Sequence, residues 1–374
     1  MQYITKPKSH YDNPDEKLSK VGCTVPFTHY EIHSGGNVSA CCYSWLPVWV
    51  GNTFTDTAEE ILNNSKRLRL QEDMKKGCFD DCNDQCPQLN SYLHDVKDKM
   101  RYWAIVPLEQ LQERLDSKPE IHVYFSYDLS CNLQCPSCRN ELILWKPDDP
   151  NDWNGQRIAQ IHVKVKELVA LLLAQGNRVS LSITGSGDPF ASPLYWDYLV
   201  ELASNPINPN LRVNLQTNGV MMTRQNWDLI KPLWNHVNYI NLSVDAATEA
   251  TYKIVRKNGN FKRLKKNIDD LDQMIMDGCF PNMHTWQTNI VVQRDNYREL
   301  KQFVEWQLTL KSKPRIWTNL LAQWYHMNDE TFNKMAIWTD SHPNRGELLE
   351  IMRDPIFKNP QLNLGNLNSM LPKD

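Results

Sequence analysis

Ser130-Cys131-Asn132-Leu133-Gln134-Cys135-Pro136-Ser137-Cys138-Arg139 is the segment on which this sequence turns. Its cysteines follow a C-x3-C-x2-C spacing. Three thiolates on one loop can wrap three irons of a cubane cluster and leave the fourth iron without a protein ligand. An open iron suits a site that must bind a cofactor or substrate, much as a catalytic zinc keeps a free position. A zinc site here would want a fourth Cys or His close by. His122 stands on the preceding segment, and no His follows within twenty residues of Cys138.

Just ahead of this loop, Tyr124 and Phe125 sit in a segment that reads as a strand ending near Asp128. Alternating apolar residues mark further strands at Val179-Leu181-Ile183, Leu211-Val213-Leu215 and Ile240-Leu242-Val244, and near 286–292 and 315–321. Helical stretches intervene, the clearest carrying Ile158, Ile161, Val165, Leu168 and Leu172 on one face. Strands alternating with helices predict parallel βα units. Six such units predict an α/β fold, an open and incomplete barrel or a wound sheet, with ligands at the C-terminal strand ends. The chain divides into a flexible lead-in (1–20), a Cys-rich unit (21–90), a connecting helical region (91–120), the barrel (121–321) and an irregular C-terminal cover (322–374).

The composition of the 374 residues is that of a globular protein, with 41% apolar and 23% charged residues and a formal net charge of -3. No basic run marks a nucleic-acid or anionic-membrane partner. Met1 to Val21 has no apolar core of a secretory signal, and the longest apolar run, Leu168 to Ala174, is too short to span a bilayer. A cytoplasmic location is expected. Of ten cysteines, six lie at 23, 41, 42, 78, 82 and 86 and three at 131, 135 and 138; Cys279 stands alone and reads as a plain small residue. Tight clusters in a reducing compartment point to metal rather than disulfides.

The C-x3-C-x2-C loop after a first barrel strand resembles the radical S-adenosylmethionine superfamily over roughly 121–320. The resemblance implies a [4Fe–4S] cluster on Cys131, Cys135 and Cys138, with S-adenosylmethionine chelating the open iron. It further implies reductive cleavage to a 5′-deoxyadenosyl radical that takes hydrogen from a substrate. Ser137 departs from the aromatic residue common before the third cysteine. Thr184-Gly185-Ser186-Gly187-Asp188 looks like the glycine-rich loop that holds the methionine amino group, with Asp188 where Glu is usual; alone, it reads as a βα turn. Thr217-Asn218-Gly219 is similar to a cavity-facing "TNG" of the family. Ser243 and Asp245 share one side of the fourth strand, where the family places groups for the ribose or carboxylate. Arg256 reads either as a partner of the cofactor carboxylate or as a surface charge. Asn289 and Gln293 flank the fifth strand end, beside the expected adenine or methionine.

Upstream, Cys23, the Gly36-x4-Cys41 element and Cys42, Cys78, Cys82 and Cys86 look like the SPASM or twitch-like auxiliary-cluster domain of many peptide- and protein-modifying members. That domain normally follows the barrel; here it precedes it. The fold expected is thus a partial (βα)6 TIM-like barrel with a small Cys-rich N-terminal auxiliary-cluster domain. Six cysteines fit one auxiliary [4Fe–4S] cluster, on Cys23, Cys41, Cys82 and Cys86, with Cys42 and Cys78 as substitutes. Four thiolates suit zinc equally.

Three functions follow. The first is a radical enzyme, oxidoreductase-like, acting on a peptide or protein side chain by oxidation, cross-linking or epimerisation, with a reducing donor such as flavodoxin or ferredoxin. The second is a radical dehydrogenase or mutase of a small polar metabolite, whose cavity Trp317, Trp324, Tyr325 and His326 would line. The third is a zinc-stabilised, non-enzymatic binding module. No residue identifies itself as a catalytic base or radical quencher.

Overall fold

The computed structural model describes residues 14–84, 86–93, 103–183, 186–324 and 326–372. Most of the lead-in, Gly185 and Tyr325 lie outside the described residues. Among the described residues, twelve strands occur in chain order: β1 (Val21–Cys23), β2 (His29–His33), β3 (Asn37–Ser39), β4 (Trp49–Asn52), β5 (Ile105–Pro107), β6 (Ile121–Ser126), β7 (Val179–Ile183), β8 (Leu211–Thr217), β9 (Val237–Ser243), β10 (Thr285–Val292), β11 (Arg315–Leu320) and β12 (Leu362–Asn363).

β6 to β11 form six parallel neighbours joined by helical crossovers, the longest being Trp153–Ala174. Each strand buries its apolar side beneath the helices. In β8, Leu211, Val213 and Leu215 are buried while Arg212, Asn214 and Gln216 face a more open, concave side. That concave side is paved with amides and hydroxyls that bond to one another. Asn214 donates to Ser180 (2.8 Å) and Ser182 (3.1 Å), and Asn241 takes hydrogen bonds from Gln287 (3.1 Å) and Asn289 (2.8 Å). Among the described residues no helix is long and apolar enough to cross a membrane.

Three features depart from the sequence expectations. Residues 91–120, expected as helical, contain β5, which pairs antiparallel with β1 before the helix Leu108–Asp116. The C-terminal segment, expected as irregular cover, carries two α-helices, two short 3-10 helices and β12, a further parallel strand against β11. Strands of two and three residues are too short for periodicity to reveal.

The largest departure concerns the Cys-rich unit, which shares a sheet with the barrel. β2 pairs in parallel with β6, from His29↔His122 to His33↔Ser126, and β3 and β4 continue from it as an antiparallel meander. Tyr30 and Ile32 of β2 join the barrel's apolar core, whereas Val21, Met74, Phe79, Leu89 and Ile105 form a second, smaller one. Gly36 turns the β2–β3 hairpin with φ +78°, a conformation that favours glycine.

Arg67, on the helix Ser65–Lys75, locks β2 in place. It is 1% exposed. Its guanidinium donates to the carbonyls of His29 (3.1 Å) and Phe27 (2.9 Å) and lies 3.9 Å over the Tyr30 ring. Arg67→Met keeps the aliphatic bulk but strands both carbonyls. It is expected to lower stability by roughly 2–4 kcal/mol, the range for removing a buried charged donor, read as the urea midpoint under anaerobic conditions.

Candidate functional site

Beyond the C-terminal ends of β6 to β9, a cavity of about 150 Å³ opens among the loops. The cysteine loop supplies Cys131, Cys135 and Cys138 to its wall, the loop after β7 supplies Gly187 and Asp188, and β8 and β9 supply Asn218, Ser243 and Asp245; Arg256 closes one side. Residues distant in sequence thus converge on one space.

The cysteine loop is held by partners that the spacing alone does not disclose. Arg139, 7% exposed, donates to the carbonyls of Leu129 and Ser186, each at 2.6 Å, tying the cysteine loop to the glycine loop. The Asp188 N–H adds a bond to the Ser130 carbonyl (2.9 Å). The Asp128 carboxylate accepts from the Ser130 N–H (2.8 Å) and the Ser192 hydroxyl. A Cβ on Gly187 would sit 2.6 Å from the Asp128 carbonyl oxygen and 2.7 Å from that of Ser130, so the two loops approach as closely as only glycine allows. Arg139 follows the third cysteine directly; a lone cation beside three thiols was the available clue.

Asp188 lines the cavity, but its carboxylate is already engaged. It accepts from the Asn218 N–H (2.7 Å), the Thr217 hydroxyl (2.8 Å) and the Phe190 N–H (3.0 Å). Burial raises it above the ordinary carboxylate range while these donors pull it back. Its role in this geometry is to join the glycine loop to β8. The Asn218 amide in turn donates to Asn132 (2.9 Å) and approaches the Cys131 sulfur at 3.6 Å.

Asp245 takes a left-handed conformation at φ +63°, which Asp tolerates better than most residues. From there it accepts from the Val291 N–H (2.8 Å) and pairs with Arg256 at 2.8 Å. Arg256 is therefore no surface charge. Its Nη1 lies 3.5 Å from the Cys135 sulfur, and its Nε is buried with no hydrogen-bond partner.

Asn289 and Gln293 stand off the cavity wall. Asn289 donates to Asn241 and to Ser243 of the wall, and Gln293 is buried with an unpartnered side-chain N–H group. Trp324 does reach the wall, Trp317 does not, and His326 contacts the Pro136 carbonyl (3.1 Å).

Burial, with the Asp188 charge, pushes the Cys131 thiol up to about 12, and burial also raises Cys135. Burial opposes charge on Arg139 and Arg256, yet neighbouring cysteines, together with Asp245 for Arg256, hold both above their ordinary values. Three sulfurs beside two buried guanidiniums form a setting for an anionic group bound through thiolates.

A second cavity, about 170 Å³, lies in the N-terminal unit and is lined by Cys23, Cys41, Cys82 and Cys86 among Val25, Leu46, Met74 and Phe79. Burial drives Cys23 and Cys41 far up, and each feels the charges of Cys82 and Cys86. Cys42 and Cys78 are off this wall: Cys42 neighbours Ser44 and Glu31, and Cys78 neighbours Asp80. The apolar lining and four sulfur donors fit a cluster held in a dry pocket.

The sequence model of the Radical SAM superfamily matches residues 129–306, and that of the SPASM iron-sulfur cluster-binding domain matches residues 23–87. No curated protein matches. Among solved structures, one of TYW1 with a lysine-pyruvate adduct bound is 16% identical over 62% of this chain and 70% of its own, with a TM-score of 0.34. An archaeal TYW1 is 15% identical over 47% and 61%, with a TM-score of 0.27. Likeness this slight has no bearing on the substrate. The two sequence models imply a [4Fe–4S] cluster with S-adenosylmethionine in the barrel and further iron–sulfur content in the N-terminal unit, which sets the zinc-only reading aside. Residues 129–306 thus carry a radical S-adenosylmethionine domain, and an auxiliary iron–sulfur domain at residues 23–87 comes before it.

Proposed function

We propose that the protein modifies a peptide or protein side chain by oxidation, cross-linking or epimerisation. The reading is supported chiefly by the two cysteine pockets flanking one continuous sheet. Cys41, on the wall of the N-terminal pocket, lies close enough to Tyr124 of β6 for their charges to interact.

A cluster on the barrel cysteines with S-adenosylmethionine beside it would supply radical hydrogen-abstraction chemistry to this cavity. In this reading Cys131, Cys135 and Cys138 hold the barrel cluster, and Arg139 and Arg256 offset its negative charge. The unpartnered Nε of Arg256 is placed for the cofactor carboxylate. Ser243, Asn218 and the backbone at Gly187 give it polar contacts, and Asp188 and Asp245 fix the groups that touch it. Cys23, Cys41, Cys82 and Cys86 hold the auxiliary cluster. A reducing donor of the flavodoxin or ferredoxin kind supplies the electron. The amide- and hydroxyl-lined concave face also suits a small polar metabolite, and this is the second reading.

Anaerobically reconstituted protein with S-adenosylmethionine and dithionite separates the two. Release of 5′-deoxyadenosine should rise with a peptide fraction of a cell extract, with a matching mass change in a peptide. A rise only with the small-metabolite fraction favours the second reading, and no cleavage under any condition defeats both. Cys131→Ala should abolish cleavage and lose about 4 irons per chain, whereas Cys41→Ala should lose about 4 irons and retain uncoupled cleavage, as expected of two separate cubanes. Gly187→Ala should keep its iron but weaken S-adenosylmethionine binding by about tenfold or more, as displacement of the glycine loop by overpacking costs about 1–3 kcal/mol.

A further inference from the structure

The strand that joins the N-terminal unit to the barrel carries a cluster that the site described above does not use. β2 places Tyr30 and Ile32 in the core and turns His29, Glu31 and His33 to the other side. Their partners in β6, in register, are His122, Tyr124 and Ser126. Glu31 sits at the centre, its side chain 19% exposed. One carboxylate oxygen accepts from Ser126 (3.0 Å), and the other lies 3.8 Å from Nε2 of both His29 and His33. Among the described residues no lysine or arginine forms an ion pair with Glu31.

Aromatic rings surround this carboxylate. His29 stacks on Tyr124 at 4.5 Å, and His33 meets Trp49 edge-on at 5.0 Å. Trp49 stacks on Tyr43 at 3.8 Å, and both rings are only half-buried. Nε2 of His29 and Nδ1 of His122 are buried without hydrogen-bond partners. Burial works against charge on Glu31, but its interactions with His29, His33 and Ser126 outweigh this and hold it below the ordinary carboxylate range. Burial lowers His33 and His122 from the ordinary histidine value, while Glu31 pulls His33 and Glu120 pulls His122 the other way. Among the described residues the ion-pair partners of Glu31 are the imidazoles of His29 and His33, and no lysine or arginine is among them.

Its position is as informative as its chemistry. Cys42 lies near enough to Glu31 for their charges to interact, and β6 leads from Ser126 into the cysteine loop. Through Cys42 the cluster adjoins the N-terminal cysteines, and through β6 it leads toward the barrel's cysteine loop.

We infer that Glu31, with His29, His33, Trp49 and Tyr124 around it, binds a cationic group of the substrate, an ammonium or guanidinium. A carboxylate gives such a group a charge-assisted hydrogen bond, and the rings give cation–π attraction. Under the peptide reading, on which this identification rests, the group belongs to a lysine or arginine side chain. Glu31 then sets which residue of the substrate is held.

The test is calorimetric titration of the reconstituted full chain with four short peptides, identical except for a central Lys, Arg, norleucine or Glu, and with agmatine as a free cation. The Lys or Arg peptide should bind about tenfold or more tighter than the norleucine and Glu peptides, with the advantage shrinking at high salt. Glu31→Gln should remove that preference and Glu31→Asp should restore part of it, with iron content confirming that each variant folds. Equal binding of the Lys and norleucine peptides by wild type, or a preference unchanged in Glu31→Gln, overturns the inference. Glu31-dependent binding of agmatine without binding of any peptide supports the cation site and rejects the peptide reading.

Discussion

The parallel ladder between His29–His33 and His122–Ser126 is the constraint from which the rest of the arrangement follows. A parallel pair fixes direction as well as neighbourhood, so the end of β2 and the end of β6 point the same way. The hairpin after β2 therefore lies on the side of the sheet that carries the cysteine loop. The ladder also assigns faces: with a period of two, placing Tyr30 and Ile32 in the core obliges His29, Glu31 and His33 to look into the concavity. Arg67 secures the ladder by taking up backbone carbonyls that flank it.

At the barrel site the governing problem is charge. Burial holds the Cys131 and Cys135 thiols above their ordinary range, and a metal held through them would require their deprotonation. The fold answers with Arg139 and Arg256, each serving two ends. Arg139 spans two loops with its guanidinium while facing Cys138, and Arg256 is held by Asp245 while facing Cys135. Asp188 and Asn218 complete a frame in which few polar atoms are idle, which gives the unpartnered Nε of Arg256 its significance.

Much of this was legible in the sequence because the signals were local. The C-x3-C-x2-C loop, the alternation of the six barrel strands and the apolar stripe from Ile158 to Leu172 each declare themselves within a short window. What was not legible depended on long-range pairing. His29-Tyr30-Glu31-Ile32-His33 alternates as any half-buried strand does, and nothing in it names β6 as its neighbour. β5 and β12 are too short to show a period. Arg256 was ambiguous because a cation on a helix end looks alike whether it meets solvent or a buried carboxylate. Asp188 read as a group near the cofactor, and its commitment to Thr217 and Asn218 depends on the approach of β7 to β8. Gly185 and Tyr325 fall outside the described residues.

The short pairing of β1 with β5 bears on how the protein is made. Cys23 lies opposite Ile105, and Ile105 lines the N-terminal pocket with Cys41, Cys82 and Cys86. During vectorial synthesis all four thiols leave the ribosome before the strand that walls them in. Closure of so long a loop is slow relative to local structure formation. The nascent chain thus presents these four cysteines in the open, ahead of the step that seals them away.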